Sequence, residues 1–168
     1  MKTKKPTIRS KSQCGSHSRS KGQRGERAAI DWLQPICDQV LDTLCATHGL
    51  HHNVTAPLLQ RNTIQSDRGG FDVVGLPWLA LEVKNYETDA PAQIEGWWKQ
   101  AYGQAGPDQV PVLLYKRNHR PFRARMPGGW GRDFCWVSGP VDIDADQFEE
   151  GFRKKLRAEL ENKIAQNH

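Results

Sequence analysis

Long apolar runs are missing from this chain. No stretch of its 168 residues approaches the roughly 18 consecutive apolar side chains that a membrane span requires, and the first residues carry no apolar signal stretch. The expectation is a soluble, cytoplasmic protein with no membrane partner. Cysteine is scarce as well. The four, at positions 14, 37, 45 and 135, form no C-x-x-C and no spacing that frames a zinc knuckle or a disulfide scaffold, so they read as reduced thiols. His51, His52 and His119 have no mutual spacing suited to a metal and read as loop or surface residues. The length suffices for one domain with a real core and excludes two such cores joined by long linkers.

Acid is nearly absent at the front. Residues 1 to 27 hold nine Lys or Arg and one acid, Glu26, leaving 15 basic and 18 acidic residues for the remainder and a net charge of +5 overall. With little to bury, residues 1–20 are expected to be a flexible basic arm. A second basic zone contains Lys116, Arg117, Arg120, Arg123, Arg125 and Arg132 with no acid between them. Two basic zones around a core point to a polyanion, above all nucleic acid. Lys21, Arg24 and Arg27 are placed to meet one phosphate backbone. Arg61 and Arg68 suit a bidentate phosphate clamp, which lysine does not reproduce.

From Gly25 the pattern changes. Ala29, Trp32, Leu33, Ile36, Cys37, Val40, Leu41 and Leu44 recur every three or four residues, which predicts an amphipathic helix starting near Glu26, with a possible bend at Pro35 and an end at Gly49. Short strands are expected at 58–62 and 71–74, and a stronger one at 78–84, where Leu79, Leu81 and Val83 alternate with Ala80, Glu82 and Lys84. A helix over 91–105 stops at Gly106-Pro107, and a strand follows at 110–115. A strand pair is predicted at 122–126 and 134–137, joined through Pro127-Gly128-Gly129. The chain then forms a charged helix near 146–165, with Phe148, Phe152, Leu156, Leu160 and Ile164 on one stripe that suits either the sheet or a twin subunit. This order predicts an α/β or α+β domain with a mixed sheet.

Chemistry concentrates on two consecutive strands. A hairpin centred on Pro77 places Asp72 opposite Glu82, with Cβ atoms about 4.5 to 5.5 Å apart, and Lys84 falls on the same face two residues on. Facing carboxylates repel unless a cation joins them. Mg²⁺, with Mn²⁺ as a substitute, suits such a site, because it rests on one or two carboxylates plus waters and phosphate oxygens. The carbonyl of Val83 lies between Glu82 and Lys84 and offers a further ligand. Glu26, expected at a helix N-terminus, offers an outer one. This combination points to phosphodiester hydrolysis, with Lys84 orienting water or offsetting charge. The plainer alternative is that Glu82 and Lys84 are edge-strand charges that prevent sheet pairing.

Taken jointly, RSKGQRGERAAIDWL (19–33), QRNTIQSDRGGFDVVG (60–75), LEVKN (81–85), EGWWKQAYGQA (95–105) and PVLLYKRNHRPFRARM (111–126) resemble the PD-(D/E)xK nuclease superfamily. Within it they are most similar to the archaeal-type Holliday junction resolvases and their phage relatives. The resemblance covers about residues 19 to 137 and implies a restriction-endonuclease-like core, a mixed central β-sheet flanked by α-helices, in a single nuclease domain over 21–168. It implies a homodimer in a phage or prokaryotic host cytoplasm that cleaves branched DNA with Mg²⁺. Glu26 matches the helix glutamate, Asp72 the strand aspartate, Glu82 and Lys84 the E-x-K pair, and Gln100 the glutamine of the following helix. Phe71 stands where the family has its nominal proline. A DNA exonuclease, a restriction-type nuclease and a non-catalytic DNA-binding accessory are the alternatives. No separate sequence-reading domain is evident, which favours recognition of DNA structure.

Overall fold

The computed structural model describes residues 11–50, 57–63, 70–87, 91–128 and 139–166, with side chains from Ser20 onward. Three helices and six strands follow in chain order: α1 (Lys11–His48), β1 (Gln60–Arg61), β2 (Val73–Val74), β3 (Leu79–Tyr86), α2 (Pro91–Gln104), β4 (Val110–Arg117), β5 (Arg123–Pro127), β6 (Pro140–Asp144) and α3 (Ala145–Gln166). The strands form one mixed sheet in the order β1-β2-β3-β4-β5-β6. Among the described strands only β3 and β4 are parallel, and α2 makes the crossover that a parallel pair requires.

Both faces of the sheet are covered. Leu79, Leu81 and Val83 of β3, Val112 and Leu114 of β4, and Ala124 and Met126 of β5 pack with α1 and α3 in the larger core. Leu113 and Tyr115 point the other way, onto Trp98 and Ala101 of α2. Phe148, Phe152 and Leu156 are fully buried, and Leu160 and Ile164 pack against the same cluster, so the stripe of α3 covers the sheet. Each of these three buried side chains contributes roughly 1.5–3 kcal/mol relative to exposure. Trp32 fixes the junction, stacking on Phe122 with ring centroids 5.5 Å apart and tilting against Phe148. Trp98 is buried while its neighbour Trp97 rests half-buried on Tyr86.

Helix ends follow local chemistry. Gly49, at φ 64°, ends α1 with the Leu50 amide donating to the Cys45 carbonyl at 2.9 Å, a Schellman closure. Asp144 caps α3, its Oδ1 accepting from the Gln147 amide at 2.9 Å while Gln147 Oε1 accepts from the Asp144 amide at 3.4 Å.

Three expectations need correction. First, α1 begins at Lys11 and not near Glu26, so residues 11–20 of the expected basic arm belong to the helix, while residues 1–10 lie outside the described set. Once the apolar face beyond Ala29 is docked, each further N-terminal residue adds a hydrogen bond at little cost, and no proline interrupts the run before Pro35. Second, Glu26 therefore sits inside the helix, where the N-terminal dipole does not act on it. Third, the partner of β5 is Pro140–Asp144, with Ala124 opposite Ile143, whereas 134–137 lies outside the described residues.

Candidate active site

The hairpin forms as its turn requires. Val73 stands opposite Leu81, the register centred on Pro77. The Asp72 amide donates to the Leu81 carbonyl at 3.1 Å, and the Asp72 carbonyl accepts from the Asn62 amide at 2.9 Å, so its backbone is held from both sides. Its carboxylate Oδ2 accepts from the Val83 amide at 2.8 Å. That bond ties the side chain to the main chain beside Glu82.

Glu82 and Lys84 project from β3 on the face away from Leu81 and Val83. Lys84 Nζ pairs with Glu82 Oε1, while Glu82 Oε2 is buried with no hydrogen-bond partner. Asp72 is 6% exposed and Glu82 2% exposed. β3 lies between β2 and β4, with Val73 opposite Leu81 and Leu113 opposite Glu82, so Glu82 stands inside the sheet and not on its edge, against the plainer reading of that residue. Burial, then the nearby Glu82 carboxylate, pushes the Asp72 carboxyl from its ordinary 3.8 to about 6, against the opposing pull of the Val83 amide and Lys84. Glu26 adds to the same push, which places it within electrostatic reach.

Helix α1 comes close to β3 at Gly25. A Cβ there would lie 3.3 Å from the Asn85 Cβ and 3.7 Å from a Val83 methyl group. The next residue, Glu26, turns toward the short strands and accepts from Arg61 Nε at 2.6 Å. Glu26 is thus occupied by a cationic side chain. Among the described residues no three His, Cys, Asp or Glu side chains converge as a metal cage. What remains is a two-carboxylate site, with Glu26 within electrostatic reach of Asp72. An amide and carbonyl of one strand residue leave the same edge, so the Val83 carbonyl leaves β3 on the side where Asp72 meets the Val83 amide. Two carboxylates, one carrying an unpartnered buried oxygen, and a main-chain carbonyl are a donor set that fits Mg²⁺ or Mn²⁺ with open positions for water and phosphate.

The other expected residues are distributed unevenly. Gln100 is exposed on α2 and makes no hydrogen bond to either carboxylate. Arg24 and Arg27 are exposed on α1, while Lys21 meets Glu87 at 3.1 Å. Arg61 serves Glu26, and Arg68 lies outside the described residues. Lys116 covers the Phe122 ring at 4.5 Å, Arg117 Nε donates to the Glu87 carbonyl at 3.2 Å, and Arg120 is exposed in the turn after β4. Arg125 is not available to a polyanion: it pairs with Glu95 at 2.8 Å and with Asp142, which also accepts from the Tyr115 hydroxyl at 2.8 Å. Sequence reasoning missed this network because Glu95 and Asp142 lie far from the basic stretch in the chain. Tyr86 was also missed, although its position two residues beyond Lys84 puts it on the same face.

Cys37 is buried, which pushes its thiol up to about 12 and removes it as a nucleophile. No helix among the described residues is long and apolar enough to cross a membrane. Comparison with family models, with curated proteins and with solved structures gives no match to this chain.

Proposed function

We propose that this chain is a Mg²⁺-dependent structure-selective DNA endonuclease with a restriction-endonuclease-like core, acting on branched DNA in the manner of the Holliday junction resolvases it resembles. The observation that carries the reading is the buried pair Asp72 and Glu82 beside Lys84, with one Glu82 oxygen unpartnered. A buried carboxylate oxygen without a donor costs free energy, and a divalent cation held by Asp72, Glu82 and the Val83 carbonyl offsets that cost. When bound, the cation supplies Lewis acidity toward a phosphoryl oxygen and a nucleophilic water at neutral pH. Lys84 has two tasks in this scheme: it holds Glu82 in place, and it offsets the negative charge that develops on the phosphate. Glu26 and Arg61 form an ion pair that braces α1 against the strand carrying the neighbour of Asp72. Arg24 and Arg27, exposed on α1, supply sequence-independent attraction to the backbone. A homodimer would offer two such sites to opposing strands of a four-way junction.

The test is cleavage of labelled four-way junction, flap and linear duplex in Mg²⁺ and in chelator. The junction is cut fastest in the expected result, and nothing is cut without metal. Equal rates on all three substrates would remove the structural preference. Salt-sensitive binding with no metal-stimulated cleavage would make the protein a DNA-binding accessory. In the same assay Lys84→Ala lowers turnover by about 10²–10³-fold, as removal of a charge-stabilising donor does, and leaves junction affinity within about threefold of wild type. A loss of affinity with unchanged turnover would assign Lys84 to binding alone.

A further inference from the structure

Two residues beyond Lys84 along β3 stands Tyr86, a step of about 7 Å on the same face. It lines a cavity of about 340 Å³ together with Tyr115, Lys116, Arg117, Arg120 and Arg123. Among the described residues no acidic side chain lines it. Two described acids beside its lining residues are engaged elsewhere: the Glu87 carboxylate pairs with Lys21, and Asp142 pairs with Arg125 and the Tyr115 hydroxyl. The Glu87 carbonyl fixes the direction of the Arg117 guanidinium. The turn after β4 closes through the Arg120 amide donating to the Arg117 carbonyl at 3.0 Å, with His119 at φ 62°, and returns Arg120 toward Arg117. Tyr86 continues an aromatic row, 5.6 Å from Trp97 and 6.2 Å from Tyr115 by ring centroids.

A small concave site with an aromatic wall and four cations selects a ligand with a flat apolar part and a phosphate. Its volume is at the lower end of ligand sites, about 300 Å³, which suits one nucleotide and excludes a paired duplex. We infer that this cavity holds a single unpaired nucleotide of the DNA, with its phosphate on Arg117, Arg120 and Arg123 and its base against Tyr86. The substrate class is thereby DNA with unstacked nucleotides next to the cut, and the cavity is the device that separates it from continuous duplex. This rests on the nucleic-acid reading above and extends it to the feature that is recognised.

The test is equilibrium binding by fluorescence anisotropy, with the full chain in chelator at fixed salt. The probes are a short oligothymidylate, the same oligomer with abasic sugars, and a blunt paired duplex. Wild type binds the oligothymidylate more tightly than its abasic counterpart. Arg120→Ala combined with Arg123→Ala weakens oligothymidylate binding by about tenfold or more and duplex binding by less than about threefold. Tyr86→Leu, which keeps apolar contact with Trp97, erases the difference between the thymidylate and abasic probes. Equal binding of those two probes by wild type would reduce the cavity to a phosphate clamp and overturn the inference. So would an equal loss on duplex and oligothymidylate. Because the measurement needs neither metal nor cleavage, it separates two failures. A protein that binds as described and never cuts loses the nuclease reading. One that cuts junctions and shows no base-dependent binding loses the cavity.

Discussion

Asp72→Asn is expected to abolish Mg²⁺-dependent cleavage and, in the same protein without metal, to raise stability at neutral pH. The two effects have one cause. Asp72 is buried beside Glu82, and its carboxyl titrates near 6 when folded against 3.8 ordinarily. Below about pH 4 it is protonated in both the folded and unfolded states and costs nothing. Between about 4 and 6 the unfolded chain releases its proton first, so wild-type stability falls as pH rises through this window, and above 6 the full cost persists. That cost is on the order of 3 kcal/mol. Asparagine keeps an oxygen to accept from the Val83 amide and carries no charge, so it removes the cost. It also removes the charge that holds a divalent ion.

Thermal unfolding across pH with and without Mg²⁺ gives a readout independent of activity. Mg²⁺ raises the wild-type Tm at pH 7.5, has no effect at pH 4, and does nothing to Asp72→Asn at either pH. In chelator at pH 7.5 the variant melts above wild type, and the two converge at pH 4. Persistent cleavage by Asp72→Asn would remove the carboxylate pair from the mechanism. A wild-type Tm indifferent to both pH and Mg²⁺ would show that the pair carries no electrostatic strain for a cation to relieve.

The carboxylate pair was legible because its determinants are local. Pro77 centres the turn, alternation along 78–84 separates the apolar face from the Glu82 and Lys84 face, and a period of two leaves no freedom in which residues share a side. The apolar stripes beyond Ala29 and along Phe148, Phe152 and Leu156 were legible for the same reason. What escaped depends on residues distant in the chain. Gly25 resembled the boundary of a helix, yet it is the point where α1 must approach Asn85 closely. β6 escaped because it is a polar edge strand whose exposure alternates, with only Val141 and Ile143 turned toward the core. Phe134 to Val137 gave a stronger apolar signal nearby. Glu26 reads as an outer metal ligand from an expected place at a helix N-terminus and from the family resemblance, whereas its pairing with Arg61 depends on a contact 35 positions away. Arg125 shows the converse, a cation within a basic run that is consumed by Glu95 and Asp142.

Gly75→Ala should be the most damaging single methyl group in the described fold. Gly75 adopts φ 128°, a conformation that L side chains rarely enter, and an added Cβ would lie 1.7 Å from the Leu58 carbonyl oxygen and 2.8 Å from its carbon. Backbone cannot rotate aside as a side chain does. Relief requires β1 to separate from β2, which exposes the buried Leu59, breaks the Asn62 to Asp72 hydrogen bond and withdraws Arg61 from Glu26. Strained conformation and lost contacts together should cost about 3 kcal/mol or more. Cleavage should fall in parallel, because Asp72 loses one of the two strands that position it. Gly96→Ala is the matched control: Gly96 lies within α2 with nothing within 4 Å of an added Cβ, so the change should be neutral or stabilising by up to about 1 kcal/mol. Urea unfolding of both variants decides the matter. A Gly75→Ala midpoint equal to wild type would mean that β1 and β2 are not tied at this point, and that Asp72 keeps its place without them.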